Sequence, residues 1–81
     1  MKLQVTLLKM RRLGKGLTQK ELGSIVGIPQ SHISMIENRK MVIRSESMEI
    51  IAEIMNDSVD RLFDDDGLAR EWDIEEMTRR S

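Results

Sequence analysis

The sequence contains no cysteine. That excludes a disulfide framework and any thiolate metal site. Aromatic residues are almost missing: Phe63 and Trp72 stand alone, tyrosine is absent, and Pro29 is the single proline. Leucine, isoleucine, methionine and charged residues fill the remainder, a composition that favours an all-helical fold over a sheet. No apolar run approaches membrane-spanning length, and Met1-Lys2-Leu3-Gln4 does not have the form of a signal peptide. A cytoplasmic protein with no membrane partner is the expectation. His32 is the single histidine. With no carboxylate cluster beside it, it makes a poor metal site, and with no nucleophile partner it makes a poor catalytic base. The sequence offers no nucleophile–base pair, no paired-carboxylate pocket and no phosphate-cradling glycine loop, so no enzyme, no catalytic residue and no cofactor are expected. A chain of 81 residues predicts one small domain, and oligomerisation would add to a core of that size.

The net charge of −1 is wrong for a nucleic-acid binder until its distribution is examined. Residues 1–63 carry ten lysines and arginines against seven acids, a net of +3, whereas residues 64–81 carry three against seven, a net of −4. The chain is therefore mildly basic over residues 1–63 and acidic over residues 64–81, and it is expected to divide into a domain at residues 1–66 and an acidic C-terminal tail at residues 67–81.

Periodicity supplies the elements. Leu3, Leu7, Met10 and Leu13 predict a helix over residues 3–13, with Lys9, Arg11 and Arg12 near its C-terminal end and Gly14 and Gly16 stopping it. Thr18 and Glu21 form a capping box, so a second helix starts there and runs to about Val26, with Leu22 and Val26 on the buried stripe. Gly23 lies beside that stripe, where a missing side chain permits close helix approach. Gly27 suits the left-handed residue that ends the helix. A third helix begins at Pro29 or Gln30 and ends near Asn38. Its Ile33 and Ile36 face inward, while Gln30, Ser31, Ser34 and Met35 project outward. Two short helices joined so tightly must cross steeply, which is the helix-turn-helix arrangement that places a helix in the DNA major groove. After a loop at residues 39–44, basic at both ends, a fourth helix spans about Ser45 to Met55, with Ser45 as its cap and Met48, Ile51, Ala52 and Met55 inward. Ser58 caps a short fifth helix, and Val59, Leu62 and Phe63 close the core. Residues 68–79 carry the pattern of a further helix, with a thin apolar face around Leu68 and Trp72.

These residues resemble the Cro/C1-type, or XRE-type, helix-turn-helix family of bacterial and phage regulators. The resemblance stands on Leu17-Thr18-Gln19-Lys20-Glu21-Leu22, Gly27-Ile28, Ile33-Ser34-Met35-Ile36-Glu37-Asn38, Lys40, Ile51-Ala52 and Asp60-Arg61-Leu62-Phe63, and covers about residues 7–63. It implies a five-helix, all-α, lambda-repressor-like DNA-binding domain. The chain departs from the family in having Arg39 where glycine is usual and Ile43 where proline is usual. The family's first-helix signature, apolar-x-x-Leu-Arg, fits as Leu7-Leu8-Lys9-Met10-Arg11 with one extra residue in the following turn. With no insertion, Arg12 takes the arginine's place and Arg11 falls at a core leucine position. We prefer Arg11.

The resemblance assigns roles. Pro29, Gln30, Ser31 and Met35 become the base-contacting residues, with Gln30 foremost because its amide can pair bidentately with adenine. Gln19, His32, Ser34, Arg39, Lys40 and Arg44 become phosphate contacts. The plainer alternative is that these are ordinary solvated side chains: an exposed histidine for His32, and a solvated basic loop for Arg44. The family pairs its first-helix arginine with Glu37 as a structural salt bridge, here Arg11 with Glu37. Ile43, Ile50 and Ile54, with Met41 and Val42 beside them, are apolar at positions the inward stripe does not use. They suggest a homodimer interface, or else a wider monomer core. The expected partners are double-stranded DNA and a second copy of the chain, with the tail open to a protein partner. The expected function is a repressor binding a palindromic operator. The rival is an antitoxin or protein-interaction adaptor built on the same fold.

Overall fold

The computed structural model describes residues 4–73. In chain order these form β1 (Gln4–Thr6), α1 (Leu7–Gly14), α2 (Gln19–Val26), α3 (Gln30–Glu37), α4 (Ser45–Met55), α5 (Val59–Leu62) and β2 (Glu71–Asp73). Five helices surround one core in which Leu8, Leu22, Ile33, Ile36, Ile51, Met55 and Leu62 are fully buried. Burying each such side chain contributes about 1.5–3 kcal/mol. Leu7, Leu17, Val26, Ile28, Met48 and Val59 pack around that centre.

The start of α1 differs from the expectation. Residues 4–6 are extended, and the helix begins only at Leu7, where the Thr6 hydroxyl accepts the Lys9 backbone N–H at 3.4 Å. The buried stripe is Leu8 and Arg12 rather than Leu7, Met10 and Leu13; Leu13 is 53% exposed. Leu3 lies outside the described residues.

The centre of the chain follows its sequence signals. Thr18 and Glu21 exchange both capping-box bonds, at 3.0 and 2.9 Å, and Gly27 ends α2 at φ 75°. A Cβ at Gly23 would stand 2.4 Å from the Ile28 carbonyl oxygen. Only glycine lets the turn into α3 pass this close, so Gly23 sets the α2–α3 crossing. Ser58 caps α5 by accepting the Arg61 N–H. Ser45 does not cap α4: it is the first helical residue, Arg44 holds the cap position, and no side chain bonds there.

After Phe63 the chain turns back. One Asp64 carboxylate oxygen accepts the backbone N–H groups of Asp66 and Leu68, both at 3.0 Å, and Gly67 takes φ 81°. Ala69 then bridges to Phe63 and is fully buried. β2 pairs antiparallel with β1, setting Val5 opposite Trp72. The helix expected over residues 68–79 is therefore not formed in its first half. A thin apolar face offers a helix little to bury, whereas an extended segment meets the backbone groups of β1. The second half of that segment lies outside the described residues. Among the described residues no helix is long and apolar enough to cross a membrane.

Candidate nucleic-acid interface

The third helix carries two faces. Ile33, Ile36 and Glu37 are buried, while Pro29, Gln30, Ser31, His32 and Met35 are exposed and Ser34 is half-buried. The four residues expected to read bases thus share one open surface at the N-terminal end and middle of α3.

Beneath that surface lies a buried ionic seat. Arg12 donates from Nε to Glu37 Oε2 at 2.6 Å and from Nη2 to Oε1 at 3.2 Å, and its Nη1 holds the Leu17 carbonyl at 2.8 Å. Gln19 donates its amide to Glu37 Oε1 at 3.0 Å. The four groups satisfy one another in a volume nearly closed to water, with Arg12 and Glu37 side chains only 7% and 1% exposed. This fixes α1 and α2 to the last turn of α3. The partner of Glu37 is therefore Arg12, not Arg11. No insertion is needed in the turn after α1. Arg11 reaches instead to Asp57 Oδ2 at 3.1 Å, and the other oxygen of Asp57 takes Arg61 at 3.1 Å. Arg11 does not occupy a core position, because the Asp57 carboxylate draws it along the surface with its side chain 44% exposed.

Gln19 stands at the first turn of α2, where unpaired backbone N–H groups favour an anion. One hydrogen of its amide serves Glu37. Glu21, in the same turn, accepts the Thr18 backbone N–H and lies beside the Thr18 hydroxyl, which holds its carboxyl below the usual range. Lys40 and Arg44 are exposed on the loop after α3.

Arg39 faces the other way. It adopts φ 60°, and this left-handed turn carries its side chain to the C-terminal hairpin. There Nη1 meets both the Ala69 carbonyl and Asp64 Oδ2 at 3.1 Å, and Nε lies 3.8 Å from Glu71 Oε1. Arg39, expected as a phosphate contact, is thus bonded to Asp64 and Ala69 with its side chain 31% exposed. Asp64 in turn has its carboxyl held below the ordinary value, chiefly by the Leu68 N–H, with the Asp66 N–H and the charges of Arg39 and Arg70 adding to it against the effect of burial.

The apolar loop and α4 residues divide. Val42 and Ile50 are 57% and 44% exposed, whereas Ile43 and Ile54 are half-buried against the monomer core. A concavity of about 720 Å³ is lined by residues including Leu7, Met10, Arg61, Arg70 and Trp72, none of them from α2 or α3. Among the described residues no group of three or more His, Asp or Glu side chains is arranged to hold a metal. Three contributors to the site were not foreseen: Thr6, whose hydroxyl donates to the Glu37 carbonyl, Asp57, and the clasp around Arg39. Asp57 alone had a local signal, its spacing of four from Arg61.

Two short helices locked through a glycine, the second presenting a polar face from a buried ionic seat, define a DNA-binding helix-turn-helix domain. A family model described as helix-turn-helix matches residues 8–62, more than half of the chain. The chain belongs to the Cro/C1-type, or XRE, helix-turn-helix family, a family of DNA-binding domains rather than enzymes. Comparison with curated proteins gives no significant match.

Proposed function

We propose that this chain is a sequence-specific transcriptional repressor that binds a palindromic operator as a homodimer and works in the cytoplasm. The observation that carries this is the exposed face of α3, Pro29, Gln30, Ser31 and Met35, mounted on the Arg12–Glu37–Gln19 seat. In this reading Gln30 pairs with an adenine edge, and Pro29 and Met35 pack on thymine methyls. Ser31 contacts a base edge. Gln19, His32, Ser34, Lys40 and Arg44 meet phosphates and fix the docking. The exposed Ile50 and Val42 supply the apolar centre of a two-fold contact, with Ile43 and Ile54 behind them. Two copies of α3 then reach successive major grooves about 34 Å apart. The reading domain extends past the expected boundary at residue 66 to residue 73, since Ala69 is buried in its core and β2 pairs with β1.

The test is selection of bound sites from random DNA, followed by salt titration on the winner. Enrichment of a repeated half-site is expected. Gln30→Ala should relax one position at about 1–3 kcal/mol, while Lys40→Ala should weaken all sequences alike and reduce the salt slope by about one. A flat pool with no enriched half-site rejects the proposal. The same exposed pair, Val42 and Ile50, also favours the antitoxin or adaptor reading, in which that face holds a different protein. A stable complex with such a protein that Ile50→Glu abolishes, with no self-association, would select it.

A further inference from the structure

The C-terminal end of the recognition helix is held by residues that stand away from its exposed face. α3 is only eight residues long, about two turns, so its orientation depends on how each end is fixed. Its start is fixed by the close passage at Gly23. Its other end is reached from both ends of the described chain. The Thr6 hydroxyl of β1 donates to the Glu37 carbonyl at 3.1 Å in a buried bond. Arg39, two residues past the helix, is tied to Ala69, Asp64 and Glu71. β1 and β2 are themselves paired, with Thr6 opposite Glu71, so the strand bond and the arginine bonds belong to one unit. A left-handed φ is unfavourable for a residue with a Cβ, yet an arginine holds it here. The backbone accepts that conformation while the side chain makes bonds a glycine could not.

We propose that Thr6, Arg39, Asp64 and Glu71 are positioning residues for DNA recognition. The strand pair and its acidic clasp orient α3 for reading without touching DNA. The inference rests on α3 being the reading helix. Released from the clasp, the helix samples orientations of which only a fraction fit the groove, and the apparent dissociation constant rises by the inverse of that fraction. The charge of Arg39 is neutralised within the protein by Asp64 and Glu71, so it adds nothing to the count of phosphate contacts.

Two substitutions separate this from a phosphate contact and from a loss of folding. Arg39→Gly removes the clasp while easing the left-handed backbone, so its melting temperature should stay close to that of the wild type. Asp64→Asn keeps the Oδ1 acceptor used by Asp66 and Leu68 and removes the anion facing Arg39. Both variants should bind the selected site about fivefold more weakly, with an unchanged slope of log affinity against log salt. Amide exchange at Asn38 and Lys40, measured without DNA, should quicken in both. The proposal is overturned if Arg39→Gly makes the slope shallower by about 0.9, the signature of one lost phosphate contact. Tighter binding by Asp64→Asn overturns it too, because that would mean the acid had been withholding Arg39 from DNA. Wild-type affinity in both variants also overturns it. If the wild type selects no site at all, the reading of α3 fails by itself, and the exchange measurement still decides whether the clasp holds the helix end.

Discussion

Replacing Glu37 with alanine should remove a large share of the stability of this domain. The carboxylate is almost fully enclosed and accepts three bonds, two from Arg12 and one from Gln19. Its loss leaves the Arg12 guanidinium in the same enclosure with the Leu17 carbonyl as its remaining partner. Removing one partner of a buried pair costs about 3–5 kcal/mol, because the other charge stays desolvated and unmatched. An 81-residue domain has a total stability of about 4–12 kcal/mol, so Glu37→Ala brings it close to half-unfolded at the low end of that range. Each lost kcal/mol lowers the melting temperature of a domain this size by about 4–8 °C. Urea unfolding followed by helical circular dichroism measures the change. Arg11→Ala is the internal control. Its side chain is 44% exposed and its partner Asp57 keeps Arg61, so the cost should be about 1 kcal/mol or less. A Glu37→Ala midpoint within about 1 kcal/mol of the wild type refutes this reasoning. So does an Arg11→Ala loss larger than that of Arg12→Ala, which would return the buried seat to the wrong arginine.

Gly23→Ala sets a methyl against the Ile28 carbonyl, a backbone atom that cannot move aside, and should cost about 3 kcal/mol or more in the same assay; a near-neutral result would mean the α2–α3 crossing is not fixed there. Ile50→Glu should halve the sedimenting mass if the exposed face of α4 joins two copies, and an unchanged mass rejects that interface. Acid should loosen the C-terminal hairpin. The folded state holds the Asp64 carboxyl below its ordinary value, so its stabilisation is complete above that ordinary value and is lost as pH falls through the depressed one. Asp64→Asn should flatten part of the acid-induced fall in stability, and an identical acid profile in the variant would contradict it.

The central helices were legible because their instructions are local. Thr18 and Glu21 lie one turn apart, Gly27 follows directly, and Ile33 and Ile36 share a face by spacing alone. The first helix was misjudged because Arg11 and Arg12 are neighbours. Leu7 and Met10 suggested one buried stripe, and Leu8 with Arg12 is another turned by a single residue. The choice is made by Glu37, whose enclosed carboxylate accepts an arginine from one direction, and that geometry has no trace in the periodicity of residues 3–13. Arg39 looked like a phosphate contact because it sits in a basic loop. Its acids stand at positions 64 and 71, in a segment whose strand has only three residues and no alternating pattern to announce it. The exposure of Pro29, Gln30, Ser31 and Met35 was visible in advance, while the supports behind them depend on contacts between distant parts of the chain.

Those distant contacts also order events in time. The pairs within and between α2 and α3 close over a few residues, whereas Val5 meets Trp72 across 67 residues of chain. Closing a longer loop carries a larger entropic penalty, and contacts of high sequence separation form late. The contacts of the three-residue strands are therefore expected to close after those between α2 and α3. Unfolding retraces this, with the strands fraying while the helices still hold. Amide exchange of the folded protein should accordingly find the β1 and β2 backbone groups opening before those of α2 and α3.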